Sequence, residues 1–131
     1  MEAAEVIRML HRLGAEREFE GFRELFSPEY TLFNHLPPGG LMRGDEAMRV
    51  RESFFRDLTF SEIKVEELSV EEDESRAYAA YTLSYRGVAV FSKTYSVEEL
   101  GGRLRVTSIL ERRGGGWRIV HEHLSPWPKL P

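Results

Sequence analysis

The sequence predicts an α+β fold, with helices gathered in the first half and an antiparallel sheet in the second. Three observations predict it. Apolar residues recur at helical spacing up to Leu58. Beyond that point the apolar residues alternate with polar ones, as strands do. Glycine and polar clusters then cut the second half into a meander, which excludes the alternating β-α-β order of a parallel sheet.

The elements follow in order. Val6, Met9, Leu10 and Leu13 make one helical stripe, with Gly14 as its expected stop. Ala15, Phe19, Phe22 and Phe26 make a second stripe, and Ser27-Pro28 is expected to end that helix, because proline restricts its predecessor. Tyr30–Phe33 reads as a short strand, and Pro37-Pro38-Gly39-Gly40 as a loop. Asp45 is placed to cap a third helix, with Glu46 in its first turn and Ala47, Val50, Phe54 and Leu58 as its stripe.

In the second half, Ile63 and Val65 alternate in one phase and Leu68 and Val70 in the other, which predicts a bulge at Glu66-Glu67. Glu71–Ser75 is a polar turn. Arg76–Tyr85, Val88–Val97 and Leu104–Leu110 read as strands, with Gly101-Gly102 as a hairpin turn. Gly114–Gly116 turns the chain into a closing strand. Pro126, Pro128 and Pro131 are expected to end the sheet near Ser125.

Composition narrows the function classes. The 131 residues fit one domain spanning 1–131, and 41% hydrophobic residues suffice for one core. The net charge of −4, with the signs interspersed, argues against a nucleic-acid partner. No apolar run is long enough to span a bilayer, and Met1–Glu5 lacks the character of a signal peptide, so a cytoplasmic, membrane-free setting is expected. With no cysteine there is no thiolate nucleophile or ligand.

Three stretches carry a family resemblance. Arg17-Glu18 through Phe26-Ser27-Pro28-Glu29-Tyr30-Thr31-Leu32-Phe33, Met42-Arg43-Gly44-Asp45-Glu46-Ala47-Met48, and Arg105-Val106-Thr107 followed by Arg112 through Ser125 together resemble the SnoaL-like branch of the nuclear transport factor 2 superfamily. The last stretch is also similar to the end of the association domain of calcium/calmodulin-dependent kinase. The resemblance implies a cone: three N-terminal helices in a strongly curved antiparallel sheet, with a pocket at the open end. Members of this superfamily isomerise steroids, cyclise polyketides, dehydrate, bind small molecules or only assemble, so the fold alone names no reaction.

The candidate site residues come from strand parity read beside that resemblance. Trp117, Ile119, His121 and His123 are expected on one face of the last strand, and Arg118, Val120, Glu122 and Leu124 on the other. His121 and His123 are expected to line the pocket with Tyr81, approached by Asn34 and His35. An imidazole titrates near neutrality, so either histidine could move a proton. Two histidines fall short of the three ligands of a catalytic zinc, so no metal and no cofactor are expected. His11 is expected at the surface.

The three aspartates read as a cap at Asp45, a helix end at Asp57 and a turn at Asp73, which leaves none as a base in the pocket. Arg105 faces either the pocket, where it would hold a carboxylate, or the solvent. In the kinase association domain, arginines mark an anion site; Ser108, two residues before Leu110, departs from that pattern. The expected function is binding of a neutral or weakly acidic organic molecule by a homodimer, joined through the face of Arg118, Val120, Glu122 and Leu124. A lyase, isomerase or hydrolase using the pocket histidines is the alternative, and a bare assembly module is a third reading.

Overall fold

A computed structural model describes residues 1–91 and 93–128. Helix α1 covers Ala3–Ala15 and α2 covers Phe19–Glu24. Strand β1 (Phe26–Phe33) and the short β2 (Met42–Arg43) lead into α3 (Gly44–Arg56). Four long strands follow: β3 (Thr59–Glu72), β4 (Arg76–Phe91), β5 (Ser96–Arg113) and β6 (Gly116–Pro126). They form one curved six-stranded sheet in the order β2-β1-β6-β5-β4-β3. The helices cover its inner face, as the α+β cone requires.

Every long-strand pairing from β3 to β6 is antiparallel, but β1 runs parallel to β6. That pair accounts for the first correction. The second helical stripe stops early, and Phe26 starts a strand instead, because the Ile119 amide donates to the Leu25 carbonyl at 2.9 Å and draws the chain into the sheet. Pro28 therefore lies inside β1, in the irregular stretch between Phe26 and Thr31 where the pairing with β6 shifts. Gly14 also fails to end α1, which runs on to Ala15. A Cβ at Gly14 would lie 2.7 Å from the Phe55 ring, so this glycine serves the close packing of α1 on α3.

The predicted bulge near Glu66 is present: the β3–β4 register shifts between Glu66 and Ser69. The predicted hairpin at Gly101-Gly102 is not. The chain turns at residues 93–95, and β4 and β5 pair from Arg76↔Glu111 to Phe91↔Ser96. The two glycines sit in mid-strand, where a Cβ on Gly102 would lie 3.3 Å from the Tyr85 hydroxyl. Ser92, within the expected Val88–Val97 strand, and Pro131 lie outside the described residues. Asp45 stands in the first turn of α3, with Arg43 at the cap position.

Phe22, Phe26, Phe55, Leu32, Leu83, Leu104, Leu110, Trp117 and Ile119 fill the space between helices and sheet. Phe19 and Phe54 are half-buried. Arg112 stacks on Trp117, its guanidinium carbon 4.5 Å from the ring centre.

Candidate functional site

One extra residue in β6 decides what faces inward. Leu110 pairs with Ile119 and Ile109 with His121, so Val120 is a bulge with no partner of its own on β5. Before it, Trp117 and Ile119 point into the core. After it the parity is reversed: Glu122 and Leu124 point in, and His121 and His123 point out. The expected imidazole-lined pocket is therefore corrected, and Glu122 and Leu124 leave the expected outer face.

On that outer face the Thr31 hydroxyl and His121 Nδ1 lie 2.7 Å apart, and the Phe33 ring centre is 5.8 Å from His121 and 5.5 Å from His123. Burial and then the neighbouring His123 lower the His121 pKa. Arg105 also stands outside, exposed between Thr82 and Ser125 on the neighbouring strands. It does not reach the interior, which corrects its assignment to the pocket.

The interior holds a polar set of different composition. Glu122 is fully buried and accepts from Arg51 Nε at 2.7 Å and from the Tyr30 hydroxyl at 2.7 Å. Arg51 projects from α3 and is also fully buried; its guanidinium carbon lies 5.4 Å from the Phe55 ring centre. His11, expected at the surface, is 3% exposed on the inner side of α1. Its Nε2 lies 2.6 Å from the Tyr81 hydroxyl. Tyr81 is the one expected pocket residue of the sheet that does face inward. Ser108, on the neighbouring β5, is completely buried beside it.

The electrostatics of this set follow from burial. Burial first, and then the Arg51 charge, pushes the His11 pKa well below its usual value, so the ring is neutral. Burial and the Glu122 carboxylate push the Tyr30 and Tyr81 phenols up. The Ser108 hydroxyl is close enough to Tyr81 to act on its pKa, but lies outside hydrogen-bond geometry. Three buried polar atoms have no hydrogen-bond partner among the described residues: Arg51 Nη1, His11 Nδ1 and Ser108 Oγ.

Aromatic rings pack beside this set. His35 is half-buried, and burial followed by the Arg51 charge lowers its pKa to about 4. Its Nδ1 donates to the side-chain Oδ1 of Asn34 at 3.1 Å. From His35 the rings run to Phe54 (5.9 Å), on to Phe55 (5.1 Å) and then to His11 (5.9 Å), with Phe60 and Tyr85 beside Phe54.

Arg51, Glu122, Tyr30, Ser108 and His11 were missed in the sequence reading. For two of them a signal existed. His11 continues the Ile7 stripe at i+4, and Arg51 stands midway between Ala47 and Phe55 at the same spacing. Glu122 had no such signal, because Val120 hides the parity change.

A family model described as a SnoaL-like domain matches residues 4–128. A search of curated proteins found no match. Among solved structures, the chain is similar to an NTF2-like protein of unknown function in nutrient uptake from Rhodospirillum rubrum, with TM-score 0.77 and 20% identity over 98% of this chain and 100% of that one. It is similar to a putative calcium/calmodulin-dependent protein kinase II association domain from Xanthomonas campestris, with TM-score 0.76 and 17% identity over 97% and 86% of the two chains. It is similar as well to a putative ketosteroid isomerase from Shewanella frigidimarina, with TM-score 0.71 and 16% identity over 94% of each chain. At these identities the likeness concerns the fold.

Proposed function

Because the chain belongs to the SnoaL-like domain family, we propose that it binds a small organic molecule between its helices and its sheet. One observation carries this reading: Arg51 Nη1, His11 Nδ1 and Ser108 Oγ are buried in one polar set without partners. Buried polar atoms are nearly always paired, and each unpaired one costs roughly 1–3 kcal/mol. A core kept only for stability would fill these positions with apolar side chains. Here the unspent hydrogen-bonding capacity is reserved for an occupant.

In this reading Arg51, His11, Ser108 and Tyr81 hold the ligand. Glu122 and Tyr30 orient Arg51, and His35 with Asn34 forms the rim beside Phe54, Phe60 and Tyr85. An acid–base enzyme using His121 and His123 draws no support from their place on the outer face. Native mass spectrometry of gently purified protein should show a bound small molecule that is lost on denaturation. A ligand at about 100 times its Kd stabilises by ~2.7 kcal/mol. With about 2.1 cal/mol/K of unfolding entropy per residue over 131 residues, that raises Tm by about 10 °C. An empty protein, together with a metabolite screen in which nothing raises Tm, would defeat the proposal.

The outer face favours a second copy as partner. Two neighbouring rows cross it, Thr31-His121-Ile109-Tyr78-Glu71 and Phe33-His123-Thr107-Ala80-Ser69. Tyr78, on β4 within it, is 50% exposed. Imidazoles and Arg105 lie on one flank, Glu66 and Glu71 on the other. A twofold axis through the middle sets each flank against its opposite. Light scattering should give twice the 15.2 kDa chain mass, and Tyr78→Glu should return it to the monomer value. A wild-type monomer at micromolar concentration would overturn this assembly.

A further inference from the structure

We infer that His121 and His123, on the outer face of β6, form a two-imidazole site for a divalent metal ion of the zinc, nickel or copper kind. The inference does not depend on the interior ligand proposed above. It gives a use to the two histidines that the bulge turns outward.

Strand geometry brings the rings side by side. The bulge at Val120 lies before both residues, and the pairing with β5 runs unbroken from Ile109↔His121 to Thr107↔His123. Side chains two apart on a strand leave one face, with their β-carbons about 7 Å apart. Two nitrogens on one tetrahedral ion, at bonds of about 2.0–2.1 Å, stand about 3.4 Å apart, so each ring tip leans inward by roughly 2 Å. His123 is exposed, which leaves its ring room to turn. The Phe33 ring, 5.8 Å from His121 and 5.5 Å from His123, gives both a common apolar backing.

A metal-binding imidazole also needs an acceptor behind it. A histidine that binds through Nε2 carries its proton on Nδ1, and that N–H is almost always given to an oxygen. Thr31 Oγ stands 2.7 Å from His121 Nδ1 and can take it. The Thr31 hydroxyl proton has its own acceptor in the Val120 carbonyl at 3.4 Å. Nε2 is then left as a lone pair for the ion. Protonation does not compete at neutral pH, because burial and then His123 lower the His121 pKa.

The donor set fixes the class of ion. Imidazole nitrogen suits Zn²⁺, Ni²⁺ and Cu²⁺, whereas Mg²⁺ and Ca²⁺ require oxygen. No cluster of three His, Asp or Glu ligands occurs among the described residues, so water completes the coordination. Arg105 is exposed on the same face opposite Ser125, next along the strand from His123, and opposes a further positive charge. Both features hold the affinity to a modest level, with Cu²⁺ bound most tightly of the three.

The test is titration calorimetry of Zn²⁺ into the full chain at pH 7, and into Tyr78→Glu, where a second copy should not cover the face. Both should bind one ion per chain, and Mg²⁺ should give no heat of binding. Thr31→Val removes only the acceptor behind the ring and should weaken Zn²⁺ about tenfold. His121→Gln and His123→Gln remove ligands and should each weaken it by at least about as much. Cu²⁺ at a small fraction of the chain concentration should broaden the His121 and His123 NMR signals before that of His11. If Tyr78→Glu does not bind Zn²⁺, or if either histidine variant binds it as tightly as the parent chain, any bound ion is adventitious and the inference fails.

Discussion

Removing the guanidinium from the buried pair is the sharpest test of how this interior is held together. In Arg51→Met the side chain keeps its approximate length and loses all its donors. Glu122 is then left fully buried with one hydrogen bond, from the Tyr30 hydroxyl. Breaking a buried pair by deleting one partner costs roughly 3–5 kcal/mol, because the other charge is stranded. At about 2.1 cal/mol/K per residue over 131 residues, that lowers Tm by about 11–18 °C. Glu122→Gln in the same chain removes the stranded charge and should restore most of the loss. A double-mutant cycle by urea unfolding, followed by circular dichroism, measures the coupling directly. If Arg51→Met costs less than about 1 kcal/mol, or if the two single costs simply add, the pair does not organise the interior and the reasoning fails.

Further outcomes follow from the same geometry. His11 and His35 have pKa values lowered by folding, so the unfolded chain takes up their protons first. Their contribution to stability is complete above about pH 6.5, the unfolded value, and is lost as the pH falls, for His35 over the window down to about 4. Urea midpoints across that window should drop, and His35→Phe should flatten the slope; an unchanged slope would remove His35 from the account. Tyr30→Phe deletes a donor to a buried carboxylate and should cost roughly 1.5–3 kcal/mol, read from the same titrations; a neutral result would mean that Glu122 does not need it. Gly14→Ala places a methyl 2.7 Å from the Phe55 ring and should destabilise by about 1–3 kcal/mol, although alanine is the better helix former. A gain in stability there would show that α1 and α3 can part easily.

Much of the fold was legible because hydrophobic period is a local signal. The helical stripes from Val6 and Ala47 and the alternation around Ile63–Val70 needed only neighbouring residues to be read. Phe26 was read as helical because nothing local reveals that β6, some ninety residues away, will pair with it. Gly101 and Gly102 look like a turn, yet what they satisfy is the close approach of the Tyr85 side chain and backbone across the sheet. At the site, Tyr81 was placed inward correctly because no bulge intervenes around it on β4. His121 and His123 were assigned to the wrong face because parity was counted through Val120. His11 and Arg51 went unseen because charged and polar residues on a helix default to the surface unless a partner is known, and their partners, Tyr81 and Glu122, come from distant strands.

Val120 also bears on how such a chain could change over generations. Point substitutions alter one interior side chain at a time. Losing this one codon would close the bulge and leave Leu110 opposite Ile119 and Ile109 opposite His121, with Glu122 and Leu124 still inside. The counter-charge of Arg51 would stay in place, and no compensating change in α3 would be needed. A Val120 deletion should therefore fold, and its His121 and His123 NMR signals should still report rings open to solvent. If those rings become shielded in the deletion chain, the bulge does not absorb the extra residue. A length change of one residue at this point is thus a mutational step that leaves the interior chemistry as it was.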